Sequence, residues 1–224
     1  MRRLIIPLLF TLPSFSHSTQ LSQSETQALI RRIQAINESR PSIQANFHEE
    51  RHTAILKEPV TNEGKIWATF PDKIRREIDG NTPSAIVSDG QKMVCYYPNL
   101  KKEELYDLEK RPMLRDSLRA LTAGLDFQQV NSFYNIEASK YGSAYAIAMT
   151  PKTARISKVV KWVTLTMDQN LLPSRVELET ARGEKVAIRY SDVRHKSVPE
   201  SMFRFAPPPG TKVTQPAQSG RRVL

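Results

Sequence analysis

The run His48-Glu49-Glu50-Arg51-His52 matches, letter for letter, the H-E-x-x-H pattern of zinc peptidases. When this pattern lies on an α-helix, the two histidines are one turn apart and bind one zinc ion, while the glutamate activates a water molecule. A glutamate such as Glu58 would then supply the third ligand. This chemistry depends on a helix, because helical geometry places residues four apart on one face at short distance.

The residues just before the motif indicate a strand instead. Ile43, Ala45 and Phe47 alternate with polar residues, which is the period of a β-strand. Residues four apart on a strand are separated by ~13 Å at ~3.3 Å per residue, whereas histidine binds zinc at ~2.1 Å. We therefore predict a charged, solvent-facing strand end at this run and not a zinc-peptidase site.

Glycine and cysteine usage excludes several other classes of site. The eight glycines are at least ten residues apart, so no dinucleotide-binding loop, P-loop or nucleophile elbow can be formed. Cys95 is the only cysteine, which excludes an intrachain disulfide and a CxxC metal site. The net charge is +10, but the aromatic residues are not interleaved with a basic stripe, so nucleic-acid binding is not expected.

Residues 1–18 have the layout of a secretory signal peptide. Arg2 and Arg3 precede an apolar run from Leu4 to Phe15, and small residues follow as far as Ser18. The run is too short for a membrane span, and no cysteine near the cleavage region offers a lipid anchor. We expect export of a soluble chain that begins near Thr19.

Two helices and a long antiparallel sheet are predicted for the rest of the chain. Ser22 and Glu25 form a capping box before an apolar stripe of period 3.6 that ends before Pro41, and a second stripe opens after Pro112. Asp89-Gly90 predicts a hairpin. Alternation predicts further strands near residues 133–139, 143–150, 158–168, 172–180 and 185–193, and residues 214–224 are expected to be a disordered tail.

Roughly ten strands with two helices require the sheet to curl, because one apolar face must be covered. Either the sheet closes on itself, or it forms a half-barrel that the helices cover only in part and that leaves an apolar cavity.

Four stretches of the chain carry a likeness to a known family. They are Ile43-x-Ala45-x-Phe47; Gly64-Lys65-Ile66-Trp67 with Pro71; Ile86-Val87-Ser88-Asp89-Gly90 continuing to Tyr96-Tyr97-Pro98; and Phe203-Arg204-Phe205 with Pro207, Pro208 and Gly210. In order and spacing these stretches resemble the LolA family of periplasmic lipoprotein carriers, and the likeness spans roughly residues 25–213.

The resemblance implies a mainly β carrier domain at residues 19–213. Its fold is a curled antiparallel sheet, a half-open β-barrel of ten to eleven strands, with a lid of a few α-helices over an apolar cavity. The resemblance also implies that the protein is not an enzyme, with no catalytic residues, no metal and no cofactor. It binds acylated lipoproteins in the periplasm as a monomer, receives them from an inner-membrane lipoprotein-releasing transporter and delivers them to an outer-membrane acceptor. The alternative is an envelope sensor or scaffold on the same fold, which binds lipids or lipoproteins without transporting them.

The resemblance also supplies the residues of the acyl-binding cavity. They are Ile43, Ala45, Phe47, Ile66, Ala68, Phe70, Ile74, Arg76, Ile78, Val94 and Tyr96 on the strands and Leu118, Leu121 and Leu125 on the covering helix.

Three of these positions depart from the family pattern. Phe70 stands where an arginine tethers the lid, so closure is expected to rest on apolar contact. Val94 stands where tryptophan is usual, and Arg76 where an aromatic residue is common. Arg76 either meets an anionic group of the cargo or extends to the cavity rim, and the rim is the favoured interpretation.

Overall fold

The computed structural model describes residues 18–111, 114–115, 127 and 130–216. Its first helix, α1 (Gln23–Ser39), begins at the predicted capping box. The Glu25 N–H donates to Ser22 Oγ (3.3 Å), and the Ser22 N–H donates to Glu25 Oε2 (2.8 Å). Leu29, Ile30 and Ile33 form the buried stripe of α1, as the period of 3.6 predicted.

Loss of the cap is expected to weaken α1. Ser22→Ala removes the acceptor of an otherwise unpaired helix N–H, and we expect the free energy of unfolding to fall by about 1 kcal/mol. Urea denaturation followed by circular dichroism measures the change. Ser24→Ala is the matched control, because Ser24 is two residues further along, in the first turn of α1, and is not the cap. We expect this substitution to be nearly neutral.

The same cap makes the free energy of unfolding depend on pH. The two Ser22 hydrogen bonds lower the pKa of Glu25 below its ordinary value. A carboxyl group with a lowered folded pKa stabilises the protein above its unfolded pKa, and this contribution disappears as the pH falls through the folded pKa. The difference in the free energy of unfolding between wild type and Ser22→Ala is therefore expected to become smaller as the pH falls through the folded pKa of Glu25.

In the described part of the chain, 13 strands form one curled sheet. The strands are β1 (Ser18–Gln20), β2 (Ser42–His52), β3 (Val60–Thr69), β4 (Lys73–Ile78), β5 (Ser84–Ser88), β6 (Lys92–Tyr97), β7 (Lys102–Asp107), β8 (Tyr134–Tyr141), β9 (Ala144–Pro151), β10 (Val160–Met167), β11 (Pro173–Thr180), β12 (Lys185–Arg194) and β13 (Lys212–Thr214). There are also two one-turn helices in the described residues. Helix α2 (Val130–Phe133) directly precedes β8, and helix α3 (Ala154–Ser157) lies between β9 and β10.

The sheet joins two antiparallel meanders at its centre. Its order is β1-β8-β9-β10-β11-β12-β2-β3-β4-β5-β6-β7-β13, so β2 pairs with β12 in the middle. The predicted mainly β fold is confirmed, and strands β8 to β12 match the five predicted segments. The strand count exceeds ten to eleven because β1 and β13 have three residues each, too few for alternation to detect. The β13–β7 pairing is also parallel, where an antiparallel sheet was predicted.

The short strands β1 and β13 are the two edge strands of the described sheet. Ser18 begins β1 and Thr214 ends β13. No helix of the described ranges combines the length and the hydropathy that crossing a bilayer requires.

Candidate functional site

One face of the sheet, called here the inner face, carries the apolar residues of β2 and is the face on which α1 packs. The half of this face formed by β8 to β12 is covered by α1 and belongs to the buried core. Ile30 and Ile33 of α1 pack with Ile147 of β9 and Leu165 of β10, and each of these side chains is at most 1% exposed. The other half, from β2 to β6, is called the β2–β6 half.

The β2–β6 half is less completely covered. Cross-strand pairing places Ile66 of β3 between Ala45 of β2 and Arg76 of β4, so their side chains share one face. Ile74 and Ile78 of β4 are on the same face and are half-buried. The predicted cavity residues that the register brings together here are Ile43, Ala45, Phe47, Ile66, Ala68, Ile74, Arg76 and Ile78.

Phe70 follows the last residue of β3 and is half-buried. Its N–H donates to the Pro41 carbonyl oxygen (2.9 Å), which fixes the turn after β3 beside the start of β2. The predicted lid residues Leu118, Leu121 and Leu125 lie outside the described residues. Leu114, at the start of the same stripe, packs against the inner-face residues Met93 and Tyr106.

Val94 and Tyr96 do not share the face of the other predicted residues. Ile86 is paired with both Arg76 and Cys95, so Cys95 is on the inner face and its neighbours Val94 and Tyr96 are on the outer face. There the Tyr96 ring lies 4.9 Å from the ring of Phe205.

The sequence could not reveal this parity. Met93 to Tyr97 is an uninterrupted apolar run, so it has no alternation from which to read a face. The inner-face residues that were missed are Ile86, Met93, Cys95 and Tyr106, which cluster with Leu114. Cys95 is buried, and burial raises the pKa of its thiol to about 12, so it is a core residue.

Arg76 and Glu49 form an ion pair on the inner face. Arg76 Nη2 donates to Glu49 Oε2 (2.8 Å), and the guanidinium carbon lies 4.2 Å from the centre of the Phe47 ring. Glu49 is 3% exposed. Burial lowers the pKa of Arg76, and the Glu49 charge opposes that shift.

Two predictions are corrected by this pair. Arg76 does not extend to a rim, because its side chain turns inward over Phe47 to reach Glu49. Glu49 is not solvent-facing, because residues 43, 45, 47 and 49 of β2 all point to the inner face. A carboxylate can occupy this apolar face because Arg76, Arg51 and Asn62 surround its two oxygens.

The histidines of the motif lie on the opposite side of β2. His48 Nδ1 is 3.0 Å from Glu63 Oε1, and His52 is exposed at the strand end. The strand predicted for this segment is confirmed, and strand geometry separates the two histidines too widely to share a zinc ion. Across the described ranges, no three His, Cys, Asp or Glu side chains are grouped as metal ligands would be.

Comparison with known proteins agrees with this architecture. The family model described as "Outer membrane lipoprotein carrier protein LolA" matches residues 38–206. A protein named outer-membrane lipoprotein carrier protein from Chromohalobacter salexigens is 25% identical over 183 residues, which are 81% of this chain and 84% of that protein. Another of the same name, from Dechloromonas aromatica, is 26% identical over 173 residues, which are 77% of this chain and 80% of that protein.

A solved structure is similar in fold. The crystal structure of an uncharacterized conserved protein from Thermus thermophilus superposes with a TM-score of 0.52 at 10% sequence identity. The match covers 85% of this chain and 99% of that one.

Proposed function

The chain belongs to the LolA family of outer membrane lipoprotein carrier proteins, and we propose that it carries lipoproteins through the periplasm with their acyl chains held against the β2–β6 half of the inner face. One observation supports this site above all. Ile74 and Ile78 are half-buried, whereas the β8–β12 half of the same face is sealed by α1. A face that is apolar but incompletely covered can accept a lipid chain.

The mechanism is reversible burial without covalent chemistry. Each methylene group that leaves water contributes ~0.8 kcal/mol, so an acyl chain gains enough free energy to cross an aqueous compartment on the protein. Release needs an acceptor whose surface binds the chain better, because a partner shifts the equilibrium only by its difference in affinity. In this proposal an inner-membrane transporter loads the carrier and an outer-membrane acceptor unloads it.

The remaining parts of the proposal follow from the same role. Residues 1–18 direct export and are removed, and the mature chain works as a monomer. Phe70, in place of a charged latch, and Leu118, Leu121 and Leu125 of the lid close the site by apolar contact.

Native mass spectrometry on the protein purified gently from its own envelope compartment tests the proposal. We expect a bound mass that proves to be an acylated polypeptide. The proposal would be overturned if the protein were purified without a bound ligand and also failed to bind a triacylated lipopeptide in titration. Transfer of bound lipoprotein to acceptor membranes separates a carrier from a sensor, since a sensor retains its ligand.

A charge placed on the β2–β6 half is expected to weaken acyl binding. Ile78→Asp should lower the affinity for a triacylated lipopeptide by about tenfold or more, because a carboxylate held against an acyl chain costs roughly 2 kcal/mol even with Arg76 nearby. Isothermal titration calorimetry measures the affinity. The matched control is Val213→Asp, the same change at an exposed position on β13. Equal affinities for the two variants would remove β4 from the site.

A further inference from the structure

Arg76 occupies the middle of an apolar patch. Ile66 and Ile86 are its cross-strand neighbours on either side, and Ile74 and Ile78 are its neighbours along β4 on the same face. A guanidinium group is therefore surrounded by branched aliphatic side chains on the face proposed to hold acyl chains.

The guanidinium has donors to spare. Arginine carries five N–H groups, and Nη2 of Arg76 donates to Glu49. Among the residues with described positions, Nε and Nη1 meet no acceptor. The Arg76 side chain is 17% exposed, so it is not fully enclosed by the protein.

Glu49 does not depend on Arg76 alone. Arg51 Nη2 is 3.6 Å from Glu49 Oε1, and Asn62 Nδ2 donates to the same oxygen (3.1 Å). Glu184 lies 3.5 Å from Arg51 in the turn before β12, and the half-buried Tyr190 is on β12, which pairs with β2. Arg76 can therefore turn part of its guanidinium to a ligand while Glu49 keeps two partners.

A guanidinium with free donors beside an apolar surface recognises one kind of ligand. Arginine binds planar or tetrahedral anionic oxygens through two parallel hydrogen bonds, which carboxylates and phosphates provide. The aliphatic neighbours of Arg76 require that the anion be attached to an acyl chain.

We propose that Arg76 makes the β2–β6 half a binding site for acyl amphiphiles that carry an anionic oxygen group next to the chain. The inference rests on the proposed acyl-binding function and names a ligand class for it. The anion is either the carboxylate of a fatty acid or the phosphate of a single-chain phospholipid.

Four short-chain probes, each used below the concentration at which it aggregates, test the inference. Decanoate is compared with methyl decanoate, and decanoyl lysophosphatidylglycerol with monodecanoin, by titration calorimetry on the wild-type chain. We expect at least one anionic probe to bind about tenfold more tightly than its neutral counterpart, the effect of one or two charge-assisted hydrogen bonds. Preference within the first pair identifies a fatty acid, and preference within the second a phospholipid.

Variants assign the preference to Arg76. Arg76→Met in the Glu49→Leu background removes the cation without leaving a buried carboxylate, and it should bind charged and neutral probes equally. Arg76→Lys keeps the charge but loses the two parallel hydrogen bonds, so it should retain only part of the preference. Lys65→Gln, which removes a positive charge from the exposed outer side of β3, is the matched control and should behave as wild type.

Two results overturn the inference. Equal binding of charged and neutral probes by the wild-type chain contradicts the site at Arg76, while acyl carriage still stands. A preference that survives in the Arg76→Met, Glu49→Leu variant places the anion elsewhere. Failure to bind any probe, a triacylated lipopeptide included, is a different result, because it contradicts the proposed function itself.

Discussion

Glu49→Gln is expected to lower the free energy of unfolding by about 3 kcal/mol, because it leaves the Arg76 charge on an apolar face without its carboxylate. Glu49 is 3% exposed, and the distance from its Oε2 to Arg76 Nη2 is 2.8 Å. Chemical denaturation followed by the fluorescence of Trp67 and Trp162 measures the change.

The neighbouring residue supplies the control. Glu50 is one position along β2, on the outer face, where it accepts a hydrogen bond from Arg189. Its side chain is 29% exposed, and a partly exposed pair of this kind contributes at most about 1 kcal/mol. The two adjacent glutamates are thus expected to differ by a factor of three or so when changed to glutamine.

A double substitution tests the cause. Glu49→Leu with Arg76→Met replaces the pair by apolar side chains, and we expect most of the lost stability to return. If Glu49→Gln were no more destabilising than Glu50→Gln, the ion pair would not be buried as described.

Gly64→Ala is expected to cost about 3 kcal/mol of unfolding free energy, at the upper end for overpacking, because the added carbon meets backbone. A Cβ at this position would overlap the carbonyl oxygen of Glu77 on β4 and lie 3.1 Å from Cε1 of Phe47. Gly64 is paired with both Phe47 and Ile78. Strands β3 and β4 would have to separate at the centre of the proposed site.

Gly142→Ala separates steric overlap from backbone strain. Gly142 lies in the turn between β8 and β9 with a φ of 58°, and no atom lies within 4 Å of a Cβ added there. A left-handed conformation costs an alanine about 1 kcal/mol. The same denaturation experiment should therefore rank Gly64→Ala well above Gly142→Ala. A reversed order would contradict the close approach of the two strands.

The apolar pattern of this chain is regular because most of its long strands have one face in the core. Alternation therefore located β2 and β3 and the five strands of the second meander from sequence. The capping box at Ser22 and Glu25 and the hairpin at Asp89-Gly90 were equally readable, because both are determined by residues within a few positions of one another.

The zinc-peptidase alternative could also be decided without the structure. Its motif continues the alternation of Ile43, Ala45 and Phe47, so the histidines had to lie along a strand. The same alternation also places Glu49 on the inner face, although its charge alone indicates the opposite. A carboxylate at an apolar position signals solvent unless its partner is known, and Arg76 is 27 residues away in the chain.

Two features could not be predicted from the sequence, and each depends on pairing between distant segments. The inner face of β6 is set by the pairing of Ile86 with Cys95, because the apolar run from Met93 to Tyr97 fits either face. The direction of the Arg76 side chain is set by its contact with the Phe47 ring and by its ion pair with Glu49. The strands, the first helix and the apolar face could be predicted from the sequence, because each follows from the spacing of apolar residues within one segment. Which side chains meet on that face is a property of strand register, which no local pattern contains.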